Sequence, residues 1–152
     1  MPQNKNINKL IIVAALGYFV DIYDLLLFGV ERFDSLNDIL PEQYPGISES
    51  VKKSLNLIYG KLLLNWQMAG MLFGGIFWGI LGDKKGRLSV LFGSILVYSI
   101  ANILNGMVHS TDSYMVLRFI SGFGLAGELG AGITLVSESM SKEHRGYGTM
   151  IV

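Results

Sequence analysis

Four ionisable side chains lie in stretches where nearly every neighbour is apolar: Asp21, Asp24, Arg118 and Glu128. A charge in hydrocarbon costs about 2.5–3.5 kcal/mol on insertion scales, so four of them need a purpose. A carboxylate in low dielectric can gain and release a proton near neutral pH, which makes Asp21 and Glu128 candidates for proton or substrate handling. At 1.5 Å rise per residue, Asp21 and Glu128 fall near the middle of their stretches, and Asp24 and Arg118 share a shallower level. The matching depths predict an Asp24–Arg118 pair, which would serve either function or helix packing alone.

A second constellation competes for the same segment. Residues 118–132, RFISGFGLAGELGAG, contain Gly122-x-Gly124-x-x-Gly127, the spacing of a dinucleotide-binding loop, with Glu138 or Glu143 downstream as a candidate ribose ligand. That loop works only where a strand delivers the chain to a tight turn at a helix N-terminus. Here a turn at His109–Ser113 and a long apolar segment come first, and the glycines sit inside a run that continues to Val136. Glycines let membrane helices approach closely, so Gly122, Gly124 and Gly127 are expected to pack helices. Gly124 and Gly132 bracket Glu128 at four-residue spacing, and Gly70-x-x-x-Gly74 and Gly75-x-x-x-Gly79 repeat the idea upstream.

The elements that hold these residues follow from composition. Of 152 residues, 51% are hydrophobic and only 16% charged, against about 25% charged in soluble domains; mean hydropathy is +0.45. Net charge is zero, which gives no reason to expect nucleic acid, and the absence of cysteine excludes thiolate metal sites and disulfides. No metal or other cofactor is expected. Leu10–Val30 carries only Asp21 and Asp24 as charges, Leu62–Gly82 and Leu88–Val108 carry none, and Met115–Ser137 carries Arg118 and Glu128. Each stretch reaches the roughly 20 residues that cross a bilayer as a helix. The expected fold is all-α and membrane-integral, with spans at 10–30, 62–82, 88–108 and 114–139. The first is an uncleaved span, since no small-x-small cleavage site closes it.

Loop charges orient the chain. Lys5, Lys9, Lys84, Lys85, Arg87, Lys142 and Arg145 gather on one side, which the positive-inside rule makes cytoplasmic, with the N-terminus. The other side holds a long external loop, 31–61, in which Ser48 or Ser50 could cap a helix presenting Val51, Leu55, Ile58 and Leu62. Asn65, Trp66 and Gln67 fall where interface anchors are expected. Residues 146–152, GYGTMIV, read as the start of a fifth span, so the polypeptide is expected to be a fragment.

The connection GILGDKKGRLSVL is the most specific stretch. Gly79-x-Leu81-Gly82-Asp83-Lys84-x-Gly86-Arg87 resembles the signature between helices 2 and 3 of the major facilitator superfamily, with Leu88 where a basic residue is usual. Arg118-x-x-x-Gly122-x-Gly124 with Gly127 and Glu128 is similar to its fourth-helix pattern, and Glu138 with Arg145-Gly146 to the end of that helix, Ser141 replacing a proline. Asp21-x-Tyr23-Asp24 resembles a first-helix element of its organic-acid, aromatic-acid and metabolite proton symporters.

The resemblance implies a transporter of about twelve helices in two six-helix halves, working by alternating access; the chain would hold helices 1–4 of an incomplete first half. It implies that Asp83, Arg87, Glu138 and Arg145 form a cytoplasmic latch, supported by Gly79 and Gly86. It also implies that Asp21, Asp24, Arg118 and Glu128 face a cavity, where the arginine suits an organic anion and the carboxylates suit protons. The expected partners are a small-molecule substrate, protons, the bilayer and the remaining helices of the same transporter, in the cytoplasmic membrane. A complete four-helix exporter acting as a dimer would have shorter loops, and a membrane interaction protein would not need four intramembrane charges. The expected function is transport, not catalysis.

Overall fold

The computed structural model describes residues 5–139, which form four helices: α1 Lys5–Gln43, α2 Glu49–Lys85, α3 Arg87–Asn105 and α4 Thr111–Ser139. Among the described residues there is no strand. α4 packs along both α2 and α3 and forms the spine, while α1 rests on α2 and α4.

The outside of this bundle is apolar and much of its inside is polar. Phe19, Leu26, Leu72, Phe73, Phe92, Leu96 and Ile103 are exposed, whereas Asp21, Gln67, Ser94, Arg118 and Ser121 are buried. In water such a surface would drive aggregation; in lipid the apolar side chains meet an apolar solvent. By length and composition, α3 over Arg87–Asn105 and α4 over Thr111–Thr134 are apolar enough to cross a membrane. The corresponding stretch of α1 carries Asp21 and Asp24, and that of α2 carries Asn65 and Gln67. The chain is an all-α membrane protein.

The second half of the 31–61 segment is the helix expected after Ser48 or Ser50, but its first half is helix rather than loop. α1 continues through it to Gln43 and α2 begins at Glu49, leaving only a short connection. With 39 and 37 residues, the two helices are each over 50 Å long at about 1.5 Å per residue, well beyond the roughly 30 Å of hydrocarbon. The cause is a second core outside the spans. Leu36, Ile39 and Leu40 of α1 are buried with Phe28, Leu63 and Tyr114, and Ile47, Leu55 and Tyr59 pack against them. Asn56 ties the two extensions together, donating to Phe33 O at 3.0 Å and Asn37 Oδ1 at 2.7 Å. Pro45 and Gly46 make the turn, Gly46 at φ +83, a value that suits glycine after proline. Ser48 is the N-cap residue of α2, without a side-chain capping bond. Gln43 then accepts from both the Thr111 amide and hydroxyl, at 3.2 and 3.1 Å, and so caps α4.

Close approach of helices rests on absent side chains. A Cβ on Gly70 would land on Phe119 O, one on Gly74 on Phe123 O, and one on Gly122 on Gln67 O. On the other face of α4, a Cβ at Gly124 would lie 2.6 Å from Tyr98 N, and one at Gly127 2.6 Å from Trp78 and Ser94. Gly75, Gly79, Gly130 and Gly132 face open space. Trp78 fills the seam next to these contacts and donates its indole N–H to Phe123 O at 2.8 Å.

Candidate functional site

Burial and helix phase bring three carboxylates together. Asp21 on α1 is only 4% exposed, and Asp24, one turn on, and Glu128 on α4 lie within electrostatic range of it. Asp24 accepts a hydrogen bond from the Tyr98 hydroxyl on α3. One turn further along α3, Asn102 accepts from Ser121 of α4 at 3.2 Å. A polar line therefore crosses the bundle from α1 to α3 and α4. Acceptors dominate it, so it is suited to hold mobile protons or a cation. Among the described residues, no three or more His, Asp or Glu side chains are grouped as a metal site.

Arg118 lies a turn away and makes different contacts from those expected. Its guanidinium carbon stands 3.7 Å from the centre of the Phe28 ring and 5.4 Å from that of Tyr114, and the two rings meet edge to face at 6.4 Å. A desolvated cation over aromatic faces gains about 2 kcal/mol or more. No Asp24–Arg118 ion pair forms among the described residues. The reason is one helical turn: Asp24 and Phe28 are four apart on the same face of α1, so placing Asp24 against Tyr98 places Phe28 against Arg118. Matched depth alone did not resolve a turn of about 5.4 Å.

Gln67 also departs from expectation. Trp66 is exposed and meets Phe119 edge-on at 6.0 Å, but Gln67 is wholly buried. Its backbone seats Gly122, and both atoms of its amide lack a partner. Tyr98, Asn102, Ser121 and Phe28 were missed as well. Their only sequence signal was helical spacing, Tyr98 to Asn102 and Asp24 to Phe28, which many packing residues share.

At the opposite end, Asp83 pairs with Arg87 at 2.8 Å across the α2–α3 turn. Gly86 makes that turn at φ 88 and ψ 152, donating its N–H to Gly82 O at 3.0 Å. Arg87 also borders a cavity of about 160 Å³ lined by Gly75, Trp78, Gly79, Gly130 and Thr134 among others. Glu138 lies in α4, its side chain outside the described residues, as is Arg145. The expected fifth span at 146–152 lies outside them too.

Known proteins are similar to this sequence. Residues 36–152 match the family model of the Major Facilitator Superfamily. The chain is 32% identical over 139 residues to a candidate metabolite transport protein of Haemophilus influenzae, covering 90% of this chain and 30% of that one. It is 34% identical over 140 residues to a candidate niacin/nicotinamide transporter of Bacillus subtilis, covering 91% and 31%. To inorganic phosphate transporter 1-11 of Oryza sativa subsp. japonica it is 28% identical over 144 residues, covering 91% and 26%. The chain thus spans less than a third of the length of these relatives. No solved structure matches it. The family match, which takes in the Asp83–Arg87 turn, Arg118 and Glu128, shows that the chain belongs to the major facilitator superfamily.

Proposed function

We propose that the protein serves secondary active transport of a small organic anion by proton symport, with alternating access. The observation that carries this reading is the buried Asp21 with Asp24 and Glu128 in electrostatic range of it, Asp24 held by the Tyr98 hydroxyl, and the buried Arg118 against Phe28, one turn on from Asp24. Three carboxylates in a low-dielectric site cannot all stay ionised without a counter-charge, so a proton is the natural coupling ion. Arg118 supplies the positive charge that an anion needs. Phe28 and Tyr114 give it apolar flanks that suit a carboxylate on an organic body. The niacin/nicotinamide name of one relative fits that class. The phosphate name of another favours an inorganic anion at the same arginine as a second reading.

In this proposal the α2–α3 turn faces the cytoplasm with the N-terminus, because Lys84, Lys85 and Arg87 cluster there. Asp83 and Arg87, with Glu138 and Arg145, would latch the cytoplasmic side around Gly79 and Gly86. The other partners are the bilayer of the cell membrane and further helices of the same transporter. The test is uptake of radiolabelled nicotinate and inorganic phosphate by cells expressing the natural gene product under an imposed proton gradient. Accumulation that collapses with a protonophore is expected for one of them. Uptake of both that ignores the gradient would contradict proton symport.

A further inference from the structure

Gln67 carries more than packing requires. It is wholly buried, yet neither its amide nitrogen nor its amide oxygen has a hydrogen-bond partner. Leaving such a group unpaired costs about 1–3 kcal/mol per polar atom, and an aliphatic side chain of the same size would avoid the cost. Arg118 repeats the pattern: it is buried, and its Nε is also without a partner.

The two residues sit at adjacent levels of the α2–α4 seam. Gln67 lies one turn beyond Leu63 on the same face of α2, and Leu63 packs with Phe28 and Tyr114, the two rings that flank the Arg118 guanidinium. Across the seam the Gln67 backbone seats Gly122, which follows Arg118 by one turn. Helical side chains lean toward the helix N-terminus, which carries the Gln67 amide back toward the level of Arg118. Unsatisfied polar atoms from α2 and α4 thus lie within about one turn of each other along the α2–α4 seam.

We infer that Gln67 is a substrate-recognition residue, its amide N–H and the Arg118 Nε–H together holding one oxygen-bearing anionic group, a carboxylate or a phosphate. The inference rests on Arg118 serving an anion. It adds α2 to the helices that touch the substrate, and it makes Phe28 of α1 the cover that must shift for the anion to enter. A neutral amide beside the guanidinium supplies directionality, since Arg118 alone would hold any anion of suitable size.

The test is equilibrium binding of radiolabelled nicotinate and inorganic phosphate to the purified protein in lipid nanodiscs, for wild type, Gln67→Leu and Arg118→Gln. Gln67→Leu is expected to weaken binding of at least one probe about 10- to 100-fold while melting no lower than wild type. The Gln67 side-chain amide resonance of the wild-type protein should also move on titration with that probe, a readout that does not depend on how the variant folds. Wild-type affinity in Gln67→Leu with an unmoved resonance, alongside loss in Arg118→Gln, would overturn the role of Gln67 and leave the anion site at Arg118 standing. No saturable binding of either probe by wild type, or unchanged binding in Arg118→Gln, would remove the anion site and this inference with it.

Discussion

The Tyr98 hydroxyl on α3 donates a hydrogen bond to the Asp24 carboxylate on α1, and this bond links the loosely held first helix to α3, which packs on the spine α4. Among the described residues the backbones of α1 and α3 make no close approach, whereas α3 packs extensively on α4. A hydrogen bond to a charged group contributes about 1.5–3 kcal/mol. Tyr98→Phe is expected to lower stability by about that much in detergent. In a double-mutant cycle with Asp24→Asn, a coupling energy above about 0.5 kcal/mol is expected; strict additivity would mean the bond contributes nothing.

The seam between α2 and α4 predicts a steric response. A methyl group at Gly122 would collide with the Gln67 carbonyl, and backbone cannot swing aside as a side chain can. Gly122→Ala should cost about 1–3 kcal/mol by overpacking, read as a lower thermal midpoint. Gly132→Ala, where a Cβ meets nothing, serves as the control and should be close to neutral.

Gly86 predicts a backbone response. Its φ of 88 and ψ of 152 lie in a region that only glycine occupies readily, so Gly86→Ala should cost about 1–3 kcal/mol. The Asp83–Arg87 pair across the same turn is 71% exposed at Asp83 and 28% at Arg87, and pairs open to solvent contribute little. Asp83→Asn should therefore leave the melting midpoint within about 1 °C while still impairing uptake, if the turn acts as a latch.

Arg118→Lys keeps the charge but loses the planar group stacked on Phe28 and Tyr114. Lysine is a point charge on a flexible stem. We expect KM for the transported anion to rise about tenfold with kcat less affected, whereas Arg118→Gln should abolish saturable uptake. A wild-type KM in Arg118→Lys would mean that stacking plays no part.

The all-α membrane fold was legible in the sequence because it depends on bulk properties: uninterrupted apolar stretches, few charges and glycines at four-residue spacing. The helical start of α2 after Ser48 was legible from the spacing of Val51, Leu55, Ile58 and Leu62, but the extension of α1 to Gln43 was not, because Leu36, Ile39 and Leu40 acquire meaning only once Leu63 and Tyr114, distant in sequence, are packed on them. The site was partly legible. Asp21, Asp24, Arg118 and Glu128 are conspicuous as charges among apolar neighbours, but which of them meet depends on helix rotation, and one turn decided between Asp24 and Phe28 as the neighbour of Arg118. Gln67 was hidden by its position. Beside Asn65 and Trp66 it looked like an interfacial residue, and only the packing of Gly122 on its backbone showed that this face of α2 turns inward.

Proton coupling through the Asp21 cluster is the central claim, and one variant tests it most directly. In cells expressing the natural gene product, gradient-driven accumulation and substrate exchange at zero gradient should be measured together for wild type and Asp21→Asn. The account predicts that Asp21→Asn loses accumulation while retaining exchange, because the anion site at Arg118 is intact and only the proton's place is gone. Accumulation at the wild-type level in Asp21→Asn would contradict it.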